Sequence, residues 1–420
     1  MSNKICDKTL NENICHHKST CKREYSIAIL INPLEISHIE FNYQFAVSLV
    51  NTIIAGSKSS HDLVKVILGI QEEINSEINP FLKDLDPECI IREFWWEYVN
   101  NDNIERIRYL EGIKKSTFAG NYYIPRDGMA DFFDTSWWII ISNNLYFNLA
   151  ALRKTSYLVP NPIEYIGTNG SLKDSLIFHH SNEISNYLTF FPFLKEYFVS
   201  KYLIPENKIH LLPLFRYLPE NKIPFENEKA LNYYLVWQID IGSMDLFIEN
   251  IEYFIDYFSD GNYELTIIFT KNGTPFQINY YSDPDLLKLK KILGSKFTKK
   301  QQIKFSLMPS RKDYYFMLKN AQFIFIPFID NYISDYLLDI SIMGKQVLCI
   351  EHPILHYLCK QYSIDANFFN NANELNYYLS CIKRGEKSLE FGDCDFIKNK
   401  HNNYKNHIQF WQELKKYYEK

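Results

Sequence analysis

The residues able to do chemistry in this chain are mainly carboxylates, with a few histidines and cysteines. Three Asp-x-Asp triplets, Asp84/Asp86, Asp283/Asp285 and Asp393/Asp395, have a spacing at which two carboxylates share a divalent cation. None follows a convincing buried strand, and the first two are flanked by Pro in turn or helix-start settings. Cys6, Cys15, His16, His17 and Cys21 are zinc-ligand types, but their spacing matches no common zinc module. That segment is short and polar and reads as a flexible extension, so no metal is assigned. Asp131 and Asp134 stand just before an apolar run at Trp137, and His179 and His180 just after one at 175–178. His38 lies in a loop behind a third apolar run. For each of these the bland account is a polar loop, local packing or a helix cap. There is no Ser or Cys nucleophile motif, no P-loop and no Gly-x-Gly-x-x-Gly.

Such residues need elements to hold them. Apolar runs of strand length occur at 25–31 (YSIAILI), 63–70 (LVKVILGI) and 136–142 (SWWIIIS), with weaker ones at 89–94, 156–159 and 175–178. Phe41, Phe45, Leu49 and Ile53 recur every fourth residue, on one helix face. This alternation predicts a parallel sheet with helices on both faces, and ligands at the carboxyl ends of its strands. Pro213, Pro219 and Pro224 then punctuate a polar stretch, which predicts a linker at 216–232. Beyond it the pattern restarts. Strand-like runs lie at 234–239, 265–269, 303–307, 323–326 and 346–350, with helical stripes at 247–258, 314–318, 336–343 and 373–381. Ile408, Trp411, Leu414 and Tyr418 give a last helix one apolar face. The expected organisation is an extension (1–23), an α/β domain (24–215), the linker, a second α/β domain (233–398) and a C-terminal helix (399–420).

The bulk numbers narrow the class. A net charge of −5 over 420 residues carries no basic stripe, which argues against a nucleic-acid partner. No apolar run nears the roughly 18 residues that span a bilayer. With no apolar core before Tyr25 and eight Cys in no dense framework, the chain reads as cytoplasmic, leaving open a peripheral contact with the inner face of a membrane. The chain holds 31 Tyr and 31 Phe, so an isolated aromatic carries no functional weight.

Two stretches resemble the family 4 type of GT-B glycosyltransferases. In the first, residues 175–214, a strand reaches Ser181, a helix covers 193–202, and Ile204, Pro205, Lys208, Ile209 and Pro213 follow in the family's order. The second, residues 308–350, runs through a helix at 310–318, a strand ending at Pro327, a loop at 330–335, then Asp339, Gly344 and Val347. The terminal helix with Trp411 is similar to the family's last helix. The resemblance implies an α/β fold of two Rossmann-like domains facing a cleft, with that helix crossing back to the first domain. It implies a UDP- or GDP-type nucleotide-sugar as co-substrate on the second domain, with no other cofactor and no metal. The sugar would pass, with retention, to a glycan, lipid-linked or protein acceptor on the first domain.

The same resemblance distributes roles. Asp330 and Asn331 would face the sugar as the catalytic pair, and Asp339 would hold the ribose. Gln238, Lys271, Ser310, Arg311, Tyr332, Ile333, Ser334 and Asp335 would line the donor. A departing phosphate needs hydrogen-bond donors or cations. The loop after Ile239 has neither Lys nor Arg, which leaves Lys271, Arg311 and Lys312 as the cations. Side chains at Tyr332 to Asp335 replace the family's glycines, where backbone N–H groups approach the donor. His38, Asp134 and His180 would stand on the acceptor side. The missing glycines and cations favour the alternative, a catalytically inactive GT-B-like sugar-binding or scaffold partner of an active glycosyltransferase. A GT-B epimerase fits the C-terminal spacing less well, and a metal-dependent GT-A transferase would need one of the discounted Asp-x-Asp triplets.

Overall fold

The computed structural model describes residues 24–32, 39–72, 82–110, 121–143, 145, 148–160, 183–213, 215, 234–240, 243, 264–270, 287, 291, 303–307, 311–330, 332–384 and 402–419. The expected helix at 247–258, the strand at 175–178 and the linker lie outside them.

The first sheet holds β1 (Glu24–Ile31), β2 (Leu63–Gln71), β3 (Ile90–Val99), β4 (Tyr122–Arg126), β5 (Trp137–Ile141), β6 (Lys154–Val159), β7 (Asn186–Thr189) and β8 (Ile209–Leu211). Their spatial order is β4-β3-β2-β1-β5-β6-β7-β8. The pairings are parallel except for β4, which runs antiparallel to β3. β5 reads WWIII and is buried at every position, the pattern of a strand covered on both faces. Helix α1 (Ile39–Ser59) joins β1 to β2, and α2 (Asn101–Leu110) follows β3. Helix α3 (Pro192–Tyr202) starts with Pro, where the missing N–H costs nothing, and ends on Leu203 in the left-handed region. The strand that feeds α3 is β7, whose short NYLT carries no apolar run.

The second sheet holds β9 (Tyr234–Asp240), β10 (Glu264–Thr270), β11 (Ile303–Leu307), β12 (Phe323–Ile326), β13 (Gln346–Ile350) and β14 (Ala366–Phe369). Its order is β11-β10-β9-β12-β13-β14, all parallel. Around it lie α4 (Arg311–Asn320), α5 (Ile333–Met343), α6 (Pro353–Gln361) and α7 (Ala372–Arg384). Gly344, the glycine kept by the resemblance, ends α5 at φ 62°, a conformation that suits glycine best. Its role is that of a helix cap.

Helix α8 (Asn402–Glu419) returns to the first domain and lies along α1. The close approach depends on Gly56: a Cβ there would come within 2.4 Å of the His407 carbonyl oxygen and 2.6 Å of Trp411 Cβ. Trp411 is fully buried and donates through Nε1 to Asp62 at 2.8 Å, and Lys415 binds the same carboxylate at 2.9 Å. Tyr25 Oη donates to Glu419, and Lys154 Nζ to the Tyr418 carbonyl. Asp62, Tyr25 and Lys154 stand at or just before the starts of β2, β1 and β6, so α8 closes the amino ends of the first sheet.

The domains also meet near α3. Gln361 Nε2 lies 3.4 Å from the Phe190 carbonyl, Phe193 packs edge-on against Tyr357, and Phe191 against Tyr362. A cavity of about 20 Å³ remains where Phe45, Phe190 and Phe215 face Leu338 and Tyr362.

Candidate functional site

In a sheet ordered this way the crevice opens at the carboxyl ends, where the strand order reverses. In the second sheet that point lies between β9 and β12. Strand β9 ends on Gln238, Ile239 and Asp240, and the chain leaves β12 through Pro327 to Asp330 before entering α5. Asp240 is buried, and Thr270 Oγ1 at the end of β10 lies 3.4 Å from its Oδ2. Asp330 is half-buried and its Oδ1 accepts the Tyr332 N–H at 2.9 Å. Burial, and then the charge of Asp240, push the Asp330 carboxyl up to about 7. Two acids at one crevice do not both ionise easily, so Asp330 keeps a proton well above the ordinary carboxylate range.

Asp339 lies on α5, and both of its oxygens face phenols. Tyr314 Oη is 3.2 Å from Oδ2 and Tyr315 Oη is 3.5 Å from Oδ1. Tyr314 Oη is also 2.9 Å from Gln238 Oε1. One phenol proton cannot serve two acceptors fully; turning the Gln238 amide over, so that Nε2 donates, satisfies all three groups. Both phenols come from α4, so the network ties α4, β9 and α5 together beneath the crevice. Gln238, Asp330 and Asp339 are thus brought into one place, with Tyr332 and Ile333 buried at the start of α5. Ser334 instead bonds within the second domain, its Oγ 2.7 Å from Tyr362 Oη, and lines the small cavity that Phe45 and Phe215 also border. Lys271, Ser310, Asn331, His38 and His180 lie outside the described residues, as do the side chains of Arg311, Lys312 and Asp335.

Sequence reasoning passes over Asp240, Thr270, Tyr314 and Tyr315. Asp240 and Thr270 have one usable signal, as polar residues closing apolar runs of strand length. The two tyrosines have none, in a chain so rich in Tyr.

No family model matches the sequence, and no curated protein is similar to it. Solved structures do share its architecture. A glycosyltransferase from Rickettsia africae superimposes with a TM-score of 0.55 at 12% identity, covering 94% of this chain and 98% of that one. TarM gives 0.51 at 8%, covering 94% and 95%. The fold is GT-B. The two Rossmann-like domains and the returning terminal helix therefore stand as the resemblance implies.

The GT-B arrangement sets the first sheet's own crevice, between β1 and β5, opposite the second. Its floor is polar and buried. Asn32 Nδ2 donates to Ser142 Oγ at 2.7 Å, while Gln71 Nε2 and Trp96 Nε1 each donate to the Ile31 carbonyl at 3.1 Å. Asp134 is not there. It forms a forked pair with Arg92 at 2.9 Å and meets Lys65 at 3.0 Å. Arg92 and Lys65 are each the third residue of their strands, so Asp134 sits at the amino ends of β2 and β3. This corrects its acceptor-side assignment: a ligand in the GT-B cleft meets the opposite end of the sheet. The Arg92 guanidinium holds the Asp134 carboxyl far below the usual carboxylate range. The Asp84/Asp86 triplet belongs to a turn fastened to α1, where Asn51 binds the Asp84 carbonyl and Lys58 pairs with Asp86. Among the described residues no group of three or more His, Cys, Asp or Glu is placed to hold a metal ion, and no helix is long and apolar enough to cross a membrane.

Proposed function

We propose that this protein binds a UDP- or GDP-type nucleotide-sugar at the crevice between β9 and β12 and transfers its sugar to a glycan, lipid-linked or protein acceptor held by the first domain. The observation that carries the reading is Asp330: an acid at the carboxyl end of the central strands, half-buried and holding its proton near neutral pH. An ionised carboxylate there would repel a diphosphate. A protonated one donates a hydrogen bond to a phosphate oxygen or a sugar hydroxyl. Lys271 and Arg311 follow β10 and open α4, and are the cations nearest in sequence for the departing phosphate. Asp339, anchored by its two phenols, would meet the ribose after exchanging one of them.

A second reading has a specific observation behind it. The Tyr332 N–H at the start of α5 is already taken by Asp330 Oδ1, and a phosphate at that helix end would compete for it. That supports a sugar-binding or scaffold partner of an active glycosyltransferase. Turnover separates the two. The full chain is incubated with UDP-glucose, UDP-N-acetylglucosamine or GDP-mannose and a mixed pool of glycans, and free nucleotide is measured. Release that rises with the pool and is lost in Asp330→Ala supports transfer. Tight donor binding with no release supports the partner role.

A further inference from the structure

Strand β3 leads two lives. Its first half, Ile90 to Phe94, pairs with β2 up to Gln71, the last residue of that strand. Its second half, Trp95 to Val99, runs on past the carboxyl end of β2 and pairs antiparallel with β4. The two form a ribbon standing above the edge where open α/β sheets take their ligands. Alternation puts Phe94, Trp96 and Tyr98 on one face of it. Phe94 is buried in the core, and Trp96 packs edge-on against it while Nε1 reaches the Ile31 carbonyl. That hydrogen bond fixes the face over the end of β1, the floor of the first crevice. The next ring along, Tyr98, is 60% exposed and leans on Tyr123 across the ribbon, centroids 4.8 Å apart at 45°.

The free edge of the ribbon is not an open template for another strand at this level. Tyr123 N–H donates to the Asn148 carbonyl at 2.7 Å, and Ala150 N–H to the Tyr123 carbonyl at 3.0 Å. What the ribbon offers a ligand there is the ring surface. An exposed tyrosine face with a polar rim matches a pyranose, which has an apolar C–H face and a rim of hydroxyls. A protein partner's anchor would instead need an enclosed, desolvated pocket.

We propose that Tyr98 and Tyr123, paired across the ribbon, form a stacking platform for a sugar ring of a glycan acceptor, which makes the acceptor a carbohydrate chain. The inference rests on the sugar-transfer reading and names the acceptor class within it. The bland account is a cross-strand aromatic pair that only steadies the ribbon, and it predicts no ligand effect.

The test uses the full chain and tetrasaccharides of glucose, N-acetylglucosamine, mannose and galactose. Binding is followed by tryptophan fluorescence and by saturation-transfer NMR, with and without UDP or GDP. At least one tetrasaccharide is expected to bind saturably. Tyr98→Ala should weaken it by about ten-fold, Tyr98→Trp should retain it, and neither should shift the melting temperature or nucleotide binding. The platform is overturned if all four tetrasaccharides fail in every condition, or if Tyr98→Ala binds as well as the natural chain. Nucleotide titrations in parallel keep the two claims apart. Glycan binding through Tyr98 without nucleotide binding would sink the donor reading alone, and nucleotide binding without glycan binding would sink the platform alone.

Discussion

At the amino ends of the first sheet, carboxylates meet cations: Asp134 meets Arg92 and Lys65, Asp127 meets Arg92, and Asp62 meets Lys415. At the carboxyl ends of the second sheet the company differs. Asp339 meets phenols, and Asp330 meets a backbone N–H and the charge of Asp240. The first region is electrostatically settled and closed by α8, and its acids are tied to cations as parts of the scaffold. The second holds an acid that burial and the charge of Asp240 keep protonated, an arrangement that weakens folding and suits a ligand. The contrast teaches that an Asp gains its role from the end of the strand at which it stands.

The largest expected effect comes from opening the settled end. Trp411→Ala removes a fully buried indole and the hydrogen bond to Asp62, and should cost about 3 to 5 kcal/mol in urea unfolding. Gly56→Ala attacks the same joint by overpacking. Its Cβ meets backbone and Cβ atoms that cannot swing aside, so a loss of about 1 to 3 kcal/mol is expected in the same assay.

Charge removal gives smaller effects that run in opposite directions with pH. The folded protein holds Asp134 below its ordinary range, so its contribution is present above about pH 4 and is lost as the pH falls. Asp134→Asn should cost about 1 to 2 kcal/mol at pH 7 and progressively less below pH 4. Asp330 is raised instead. Between its ordinary value and about 7 the folded state binds the extra proton, so stability falls as pH rises through that window. Asp330→Asn should therefore gain about 1 kcal/mol or more at pH 7.5 and nothing below about pH 3.5, read from paired melting curves. A gain at Asp134 or a loss at Asp330 at pH 7.5 would reverse the comparison.

Much of the scaffold was legible in the sequence, because apolar periodicity is written along the chain. Residues 136–142 and 323–326 announce buried strands, and Trp411 with Leu414 announces the returning helix. Short elements with mixed polarity stayed hidden: β7 is NYLT, and β4, with YYIPR, pairs antiparallel at an edge and carries a Pro. The site was legible only in part. Asp330 and Asp339 are marked by the resemblance to GT-B transferases, and no local pattern singles them out. Asp134 precedes its apolar run, which already puts it at the amino end of β5 and away from the carboxyl ends where ligands bind; the acceptor role did not follow from its position. Tyr314 and Tyr315 act through contacts between elements far apart in sequence, which no local pattern records.

The most direct measurement is a calorimetric titration of UDP, GDP and their sugar conjugates into the full chain at pH 7. Asp330→Ala and Asp134→Ala are run alongside. The account predicts one nucleotide bound per chain, with binding lost in Asp330→Ala and kept in Asp134→Ala. Binding kept in Asp330→Ala and lost in Asp134→Ala would contradict it, as would no binding of any nucleotide.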